Sequence, residues 1–147
     1  MPKLYTVNDL MTADPDTIGL AAPLREVLIR MKEDGCRQLP VVDDAGRLVG
    51  IITDRDVRLS MNSPLVLRER WQDEALLESV TAEGCMTADP VTVSPQTPAY
   101  RAAEILCSHK FGALPVVDER VLVGIITVTD IMNRFIEDQR EGNEGTA

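Results

Sequence analysis

LPVVDDAGRLVGIITDRD (residues 39–56) and LPVVDERVLVGIITVTD (residues 114–130) stand in the two halves of a 147-residue chain. Each holds two short runs rich in Val and Ile, divided by a polar turn, and each closes on Thr-x-x-Asp. Such β-branched runs read as a pair of antiparallel strands. Thr three residues ahead of Asp, directly after a strand, reads as a helix start.

The likeness extends beyond these stretches. MTADP occurs at Met11–Pro15 and again at Met86–Pro90, an offset of 75 that holds through Pro23/Pro98, Leu39/Leu114, Pro40/Pro115 and Asp43/Asp118. From Gly50/Gly124 onward, through Thr53/Thr127 and Asp56/Asp130, it is 74. The missing residue falls in the turn between strands, where a deletion does little harm. An internal repeat of this kind governs every local assignment.

Ahead of the strands, Leu24, Val27, Leu28 and Met31 form one apolar stripe at helical spacing, with Pro23 at its start and Gly35 past its end. The second copy keeps the stripe as Ala99, Ala102, Ala103 and Leu106, and Thr97-Pro98 reads as its N-cap and first turn. A further helix follows each GIIT, with Val57 and Leu59 in one copy and Ile131, Met132, Phe135 and Ile136 in the other. Each copy is thus a short strand, a helix, two strands and a helix. Repeat 1 covers residues 7–60 and repeat 2 residues 84–136. Residues 61–83 between them predict a connecting helix, started by Ser63 and Pro64 and stopped by Gly84, with Trp71 as its packing anchor. Residues 137–147, poor in apolar side chains, predict a frayed or disordered tail.

Composition narrows the function. A formal net charge of -9 repels polyanions and argues against a nucleic-acid polymer as partner. The three cysteines form no C-x-x-C pair, and with one His they supply too few ligands for a zinc site. They read as reduced thiols of a cytoplasmic protein. No apolar run has the length of a signal peptide or a membrane span. No nucleophile–base order points to an enzyme.

The paired MTADP with its following Thr-Ile or Thr-Val, the LPVVD strands, and GIIT-x-x-D at Gly50–Asp56 and Gly124–Asp130 resemble the CBS domain, named for cystathionine β-synthase. Two full sets in the same order resemble a CBS pair across nearly the whole chain. The resemblance implies an α/β (α+β) fold, two tandem repeats packed with pseudo-twofold symmetry into one disc. It also implies clefts between the repeats for an adenine nucleotide (AMP, ADP or ATP) or for S-adenosylmethionine, with no cofactor required. Dimerisation through helices of both repeats and a regulated protein partner complete the expectation. A ligand-independent scaffold is the alternative, and an enzyme ranks below both.

Two readings of the Thr-x-x-Asp segments stay open. In the first, Thr53 and Asp56, or Thr127 and Asp130, only cap a helix. In the second, the same carboxylate at a positive helix end accepts a ribose diol. The resemblance favours the second, with Thr53 and Thr127 on ribose or phosphate. It places the purine slot near Thr17, Ile18, Cys36, Arg37, Gln38 and Pro40 in one copy, and near Thr92, Val93, Lys110, Phe111, Gly112 and Pro115 in the other. Each slot would face the aspartate of the opposite copy. Arg37, Arg55 and Lys110 are candidate phosphate partners, and Arg55 suits a two-pronged contact. His109, aligned with Asp34, reads as a helix end. Met11, Met86, Leu39 and Leu114 read as packing residues.

Overall fold

The computed structural model describes residues 3–61 and 70–144, the side chains of residues 70–73 excepted. Tertiary contacts divide the chain into two compact units, a continuous one, Asp16–Pro90, and a split one, Met1–Pro15 with Val91–Ala147. In chain order the elements are α1 (Val7–Leu10), β1 (Thr12–Ala13), β2 (Ile18–Gly19), α2 (Leu24–Asp34), β3 (Gln38–Val42), β4 (Leu48–Thr53) and α3 (Asp54–Met61). The second half supplies α4 (Arg70–Ser79), α5 (Ala82–Cys85), β5 (Thr87–Ala88), α6 (Ala99–His109), β6 (Ala113–Asp118), β7 (Val121–Thr127) and α7 (Val128–Glu144).

The continuous unit carries a sheet in the order β2-β3-β4-β5, parallel between β2 and β3 and antiparallel elsewhere. Leu24, Val27 and Met31 bury the predicted stripe of α2 against Leu39, Val41 and Ile52. Gly35 ends α2 at φ +64, a left-handed position that glycine takes without steric cost. The split unit carries β1-β7-β6, and Val93 adds a parallel bridge to Val116. Its core is Val7, Val93, Ala102, Leu106, Leu114, Val116 and Ile126.

Each unit takes its opening turn and strand from the other sequence copy. Thr12 and Ala13 of MTADP pair with Ile125 and Gly124 of β7, whereas Thr87 and Ala88 pair with Ile51 and Gly50 of β4. The exchange is matched bond for bond. Ala99 N–H donates to Tyr5 C=O and Val7 N–H to Thr97 C=O in the split unit, as Leu24 N–H does to Val80 C=O and Ala82 N–H to Ala22 C=O in the continuous one. The crossover is made at Asp14 and Asp89, both left-handed (φ 49 and 47) and both followed by Pro. Aspartate tolerates that region better than most residues. The single extended segment expected at the head of each copy therefore serves two different sheets, as β1 and β2 in the first copy and as β5 and the Val93 bridge in the second.

Gly124 makes the crossover possible. A Cβ there would lie 2.6 Å from Met11 Sδ and 2.9 Å from the Thr12 carbonyl oxygen, and Met86 crowds Gly50 in the same way. The methionines pack over the sheet as gap-fillers.

Three local expectations differ from the fold, and a fourth cannot be compared with it. Thr97 does not cap α6: its Oγ1 accepts the Ser94 N–H at 3.0 Å, leaving Pro98 as an N-cap without side-chain bonds. The connecting helix ends at Ser79, and Thr81 starts a separate turn by accepting Gly84 N–H, so Gly84 is no stop. Ser63, Pro64 and the Trp71 side chain lie outside the described residues. The tail is helical to Glu144, because Tyr5 Oη donates to Asp138 (2.8 Å), Lys3 pairs with Glu141 (3.1 Å) and Arg134 pairs with Glu137 and Asp138. Lys3 and Tyr5 stand at the opposite end of the chain, beyond the reach of local pattern, whereas the Arg134 pairs lie within α7.

The one-residue slip lies in the hairpins. Asp43 Oδ1 accepts N–H from Ala45 (2.9 Å) and Arg47 (3.0 Å), and Gly46 turns at φ +79. These donors, Arg47 first, hold the Asp43 carboxyl below its ordinary value. The shorter second hairpin turns on Glu119 and Arg120, both at positive φ, as a two-residue mirror-image turn requires.

Candidate functional site

Both Thr-x-x-Asp segments fold as capping boxes at a strand-to-helix junction. In the continuous unit, Thr53 N–H donates to Asp56 Oδ2 (2.9 Å) and Asp56 N–H donates to Thr53 Oγ1 (3.1 Å). In the split unit the same pair of bonds links Thr127 and Asp130 at 2.9 and 3.0 Å. Each box satisfies two amides that the helix start leaves without intrahelical partners. Each engages one carboxylate oxygen. Among the described residues, the second oxygen of Asp56 meets only Thr87 Oγ1, at 3.5 Å, and that of Asp130 has no hydrogen bond. Both aspartates are half-buried, so a carboxylate oxygen with at most one long hydrogen bond among the described residues sits beside the positive end of a helix and still meets solvent.

The strand ladders bring the other candidates to this end of each sheet. Gln38 stands opposite Thr53, and Arg37 C=O accepts the N–H of Asp54 at 2.9 Å. Ala113 stands opposite Thr127, and Gly112 C=O accepts the N–H of Val128 at 3.1 Å. Arg37, Arg55, Lys110, Phe111 and Gly112 are exposed, while Cys36, Gln38, Thr17 and Thr92 are half-buried.

Ile18, Pro40, Val93 and Pro115 are buried in the cores, so what they offer a ligand is backbone and shape. Burial pushes the Cys36 thiol up, with the charges of Asp34 and Asp16 adding to it. A thiol so placed stays neutral and is a poor nucleophile.

Two residues at this end escape the sequence reading. Arg30 Nη1 donates to the Thr17 carbonyl at 3.0 Å and so fixes the chain beside Ile18. Its only sequence signal is that the other copy has Ile105 there. Thr87 reaches Asp56 because β5 arrives from the other copy, and the twice-written Thr of MTADP was the clue available. His109 ends α6, as expected, but its ring also stacks on Phe111, with centroids 5.0 Å apart and planes at 20°.

Among the described residues, no helix is long and apolar enough to cross a membrane, and no group of three or more His, Cys, Asp or Glu could hold a metal ion.

Known proteins share this arrangement. A CBS domain-containing protein of Dictyostelium discoideum is 33% identical over 132 residues, 89% of this chain and 91% of its own. The crystal structure of CBSX2 in complex with AMP superimposes with a TM-score of 0.77 at 28% identity, over 90% of this chain and 97% of that one. The CBS domain pair of protein MJ0100, in complex with 5'-methylthioadenosine and S-adenosyl-L-methionine, gives a TM-score of 0.73 at 25% identity over 92% and 99%. The CBS domain model itself matches residues 7–63 and again 80–137, each match taking in one Thr-x-x-Asp box, and the chain therefore belongs to the CBS domain family as a tandem pair.

Proposed function

We propose that the protein is a regulatory module that binds an adenine nucleotide or a related adenosyl compound, with Asp56 and Asp130 holding ribose hydroxyls. The observation that carries this reading is the half-engaged carboxylate, repeated with the same geometry in both copies. A cap needs one oxygen. The other is an acceptor at a helix mouth, able to take the diol of a ribose while the exposed Arg37, Arg55 and Lys110 meet phosphate. The AMP, methylthioadenosine and S-adenosylmethionine complexes of the related structures support the same ligand class. The raised thiol of Cys36 and the symmetric placement of the two aspartates suit binding rather than nucleophilic catalysis. The working form is a homodimer, whose geometry the ligand biases to the extent that it prefers one state over the other.

The test is a thermal-shift titration with AMP, ADP, ATP and S-adenosylmethionine. A ligand at 100 times its Kd adds about 2.7 kcal/mol to a folded state that alone binds it, enough for a saturable rise of several degrees. Turnover of any of the four would make the protein an enzyme. Silence across the panel would leave the scaffold reading, which the exposed apolar face of α7 also suits.

A further inference from the structure

Helix α7 runs to Glu144, past residue 137 where the second family match ends. The residues there, about two turns, are poor material for a helix. From Asp138 to Glu144 no apolar side chain is available to bury, and Gly142 disfavours helix. The last turn carries Glu141 and Glu144 but no basic residue, at the end where the helix dipole favours a cation.

The support comes from the other end of the chain. Ile131, Arg134, Asp138 and Glu141 share one face of α7 by their spacing. Ile131 packs on the core of the split unit, and the N-terminal segment meets the rest of the face. Tyr5 Oη donates to both Asp138 oxygens (2.9 and 2.8 Å), and its ring centroid lies 5.6 Å from the Arg134 guanidinium. Lys3 brings to Glu141, at 3.1 Å, the cation that the last turn lacks. Desolvation and then the bond to Asp138 raise the pKa of the Tyr5 phenol, and the bond to Glu141 raises that of the Lys3 ammonium, so both stay donors.

The fold itself needs neither side chain. Val80 and Ser60 hold the aligned places of Tyr5 and Arg134 in the other copy, yet Leu24 N–H donates to Val80 C=O just as Ala99 N–H does to Tyr5 C=O. The backbone at Tyr5 is thus fixed separately, with Val7 buried beside it. Lys3 and Glu141, by contrast, have side chains 62% and 60% exposed.

We propose that Lys3 and Tyr5 form a latch that winds the end of α7, a two-state device within the split unit. Closed, it holds Asp138 and Glu141. Open, residues 138–144 fray and release both carboxylates as an acidic end. The closed state rests on a few exposed, charge-assisted bonds, so it opens far more easily than the core unfolds and responds to salt. Neither half of the latch belongs to the candidate nucleotide site.

Amide hydrogen exchange at residues 139–144, followed by NMR on the full chain at low and at high salt, tests the latch. Wild-type amides there are expected to be protected at low salt and to exchange faster at high salt, while core amides do not respond. Tyr5→Phe keeps the ring and loses the hydroxyl, so exchange at 139–144 rises roughly tenfold or more, the worth of a hydrogen bond to a charged group, with the urea midpoint unchanged. Lys3→Gln removes most of the salt response. Gly142→Ala, where an added Cβ meets no atom within 4 Å, restores protection to the Tyr5→Phe protein by winding the helix on its own.

Wild-type amides at 139–144 that exchange as an unstructured chain does, or that stay equally protected in Tyr5→Phe and Lys3→Gln, overturn the latch. A Tyr5→Phe protein whose α7 end loosens only together with the core, with a matching fall in the urea midpoint, overturns it as well.

Discussion

Asp130 has two oxygens, and the helix it opens uses one. That division separates a structural role from a binding role by experiment. Asn at this position keeps a carbonyl oxygen to accept the Thr127 N–H but presents an amide in place of the second acceptor. Asp130→Asn is expected to cost only about 0.3–1 kcal/mol, the lost interaction of a charge with the helix end, and to weaken nucleotide binding. Asp130→Ala removes both roles and should cost about 1 kcal/mol in addition to the ligand. Urea denaturation beside ligand titration reads the two effects separately. An Asp130→Asn protein that binds as the wild type does would reduce the aspartate to a cap. The box itself was legible at this scale, because a cap is a contact across three residues. The Arg30 bond to Thr17 was not, because it joins a helix to a loop thirteen residues away.

Helix α7 buries none of its side chains, although it carries Val128, Met132, Phe135 and Ile136 at spacings that share one face. The sequence showed the stripe, but a helical period by itself does not say what covers it. The structure leaves Phe135 60% exposed and Met132 52% exposed. Apolar side chains gathered on one exposed face suit a protein interface, and a second copy of this chain is the occupant that the CBS resemblance implies. Phe135→Glu is therefore expected to shift the protein from dimer to monomer in sedimentation velocity, while far-UV circular dichroism stays unchanged. A monomeric wild type, or a dimer indifferent to the charge, would assign that face elsewhere.

For the whole molecule, the exchange of opening strands decides which pieces can stand alone. Residues 1–75 contain one sequence repeat but lack α5 and β5, which complete the sheet that Asp16–Pro90 forms. Residues 16–90 have the same length and hold every element of the continuous unit. Chains of this size are marginal, so the difference should be visible. The 16–90 fragment is expected to show cooperative urea unfolding and the 1–75 fragment none, and the reverse result would contradict the exchange.

Helices Leu24–Asp34 and Ala99–His109, the hairpins and both capping boxes follow from the sequence by itself, since period, proline, glycine and caps act within a few residues. The tandem CBS pair follows as well, because a duplicated order of motifs survives any arrangement of the halves. Which copy receives each MTADP strand was left to tertiary structure. Gly50 and Gly124 leave the same room for a methionine, so the two pairings look alike in sequence. The left-handed Asp14 and Asp89, each followed by Pro, accompany the crossover that sends each strand to the other copy's sheet.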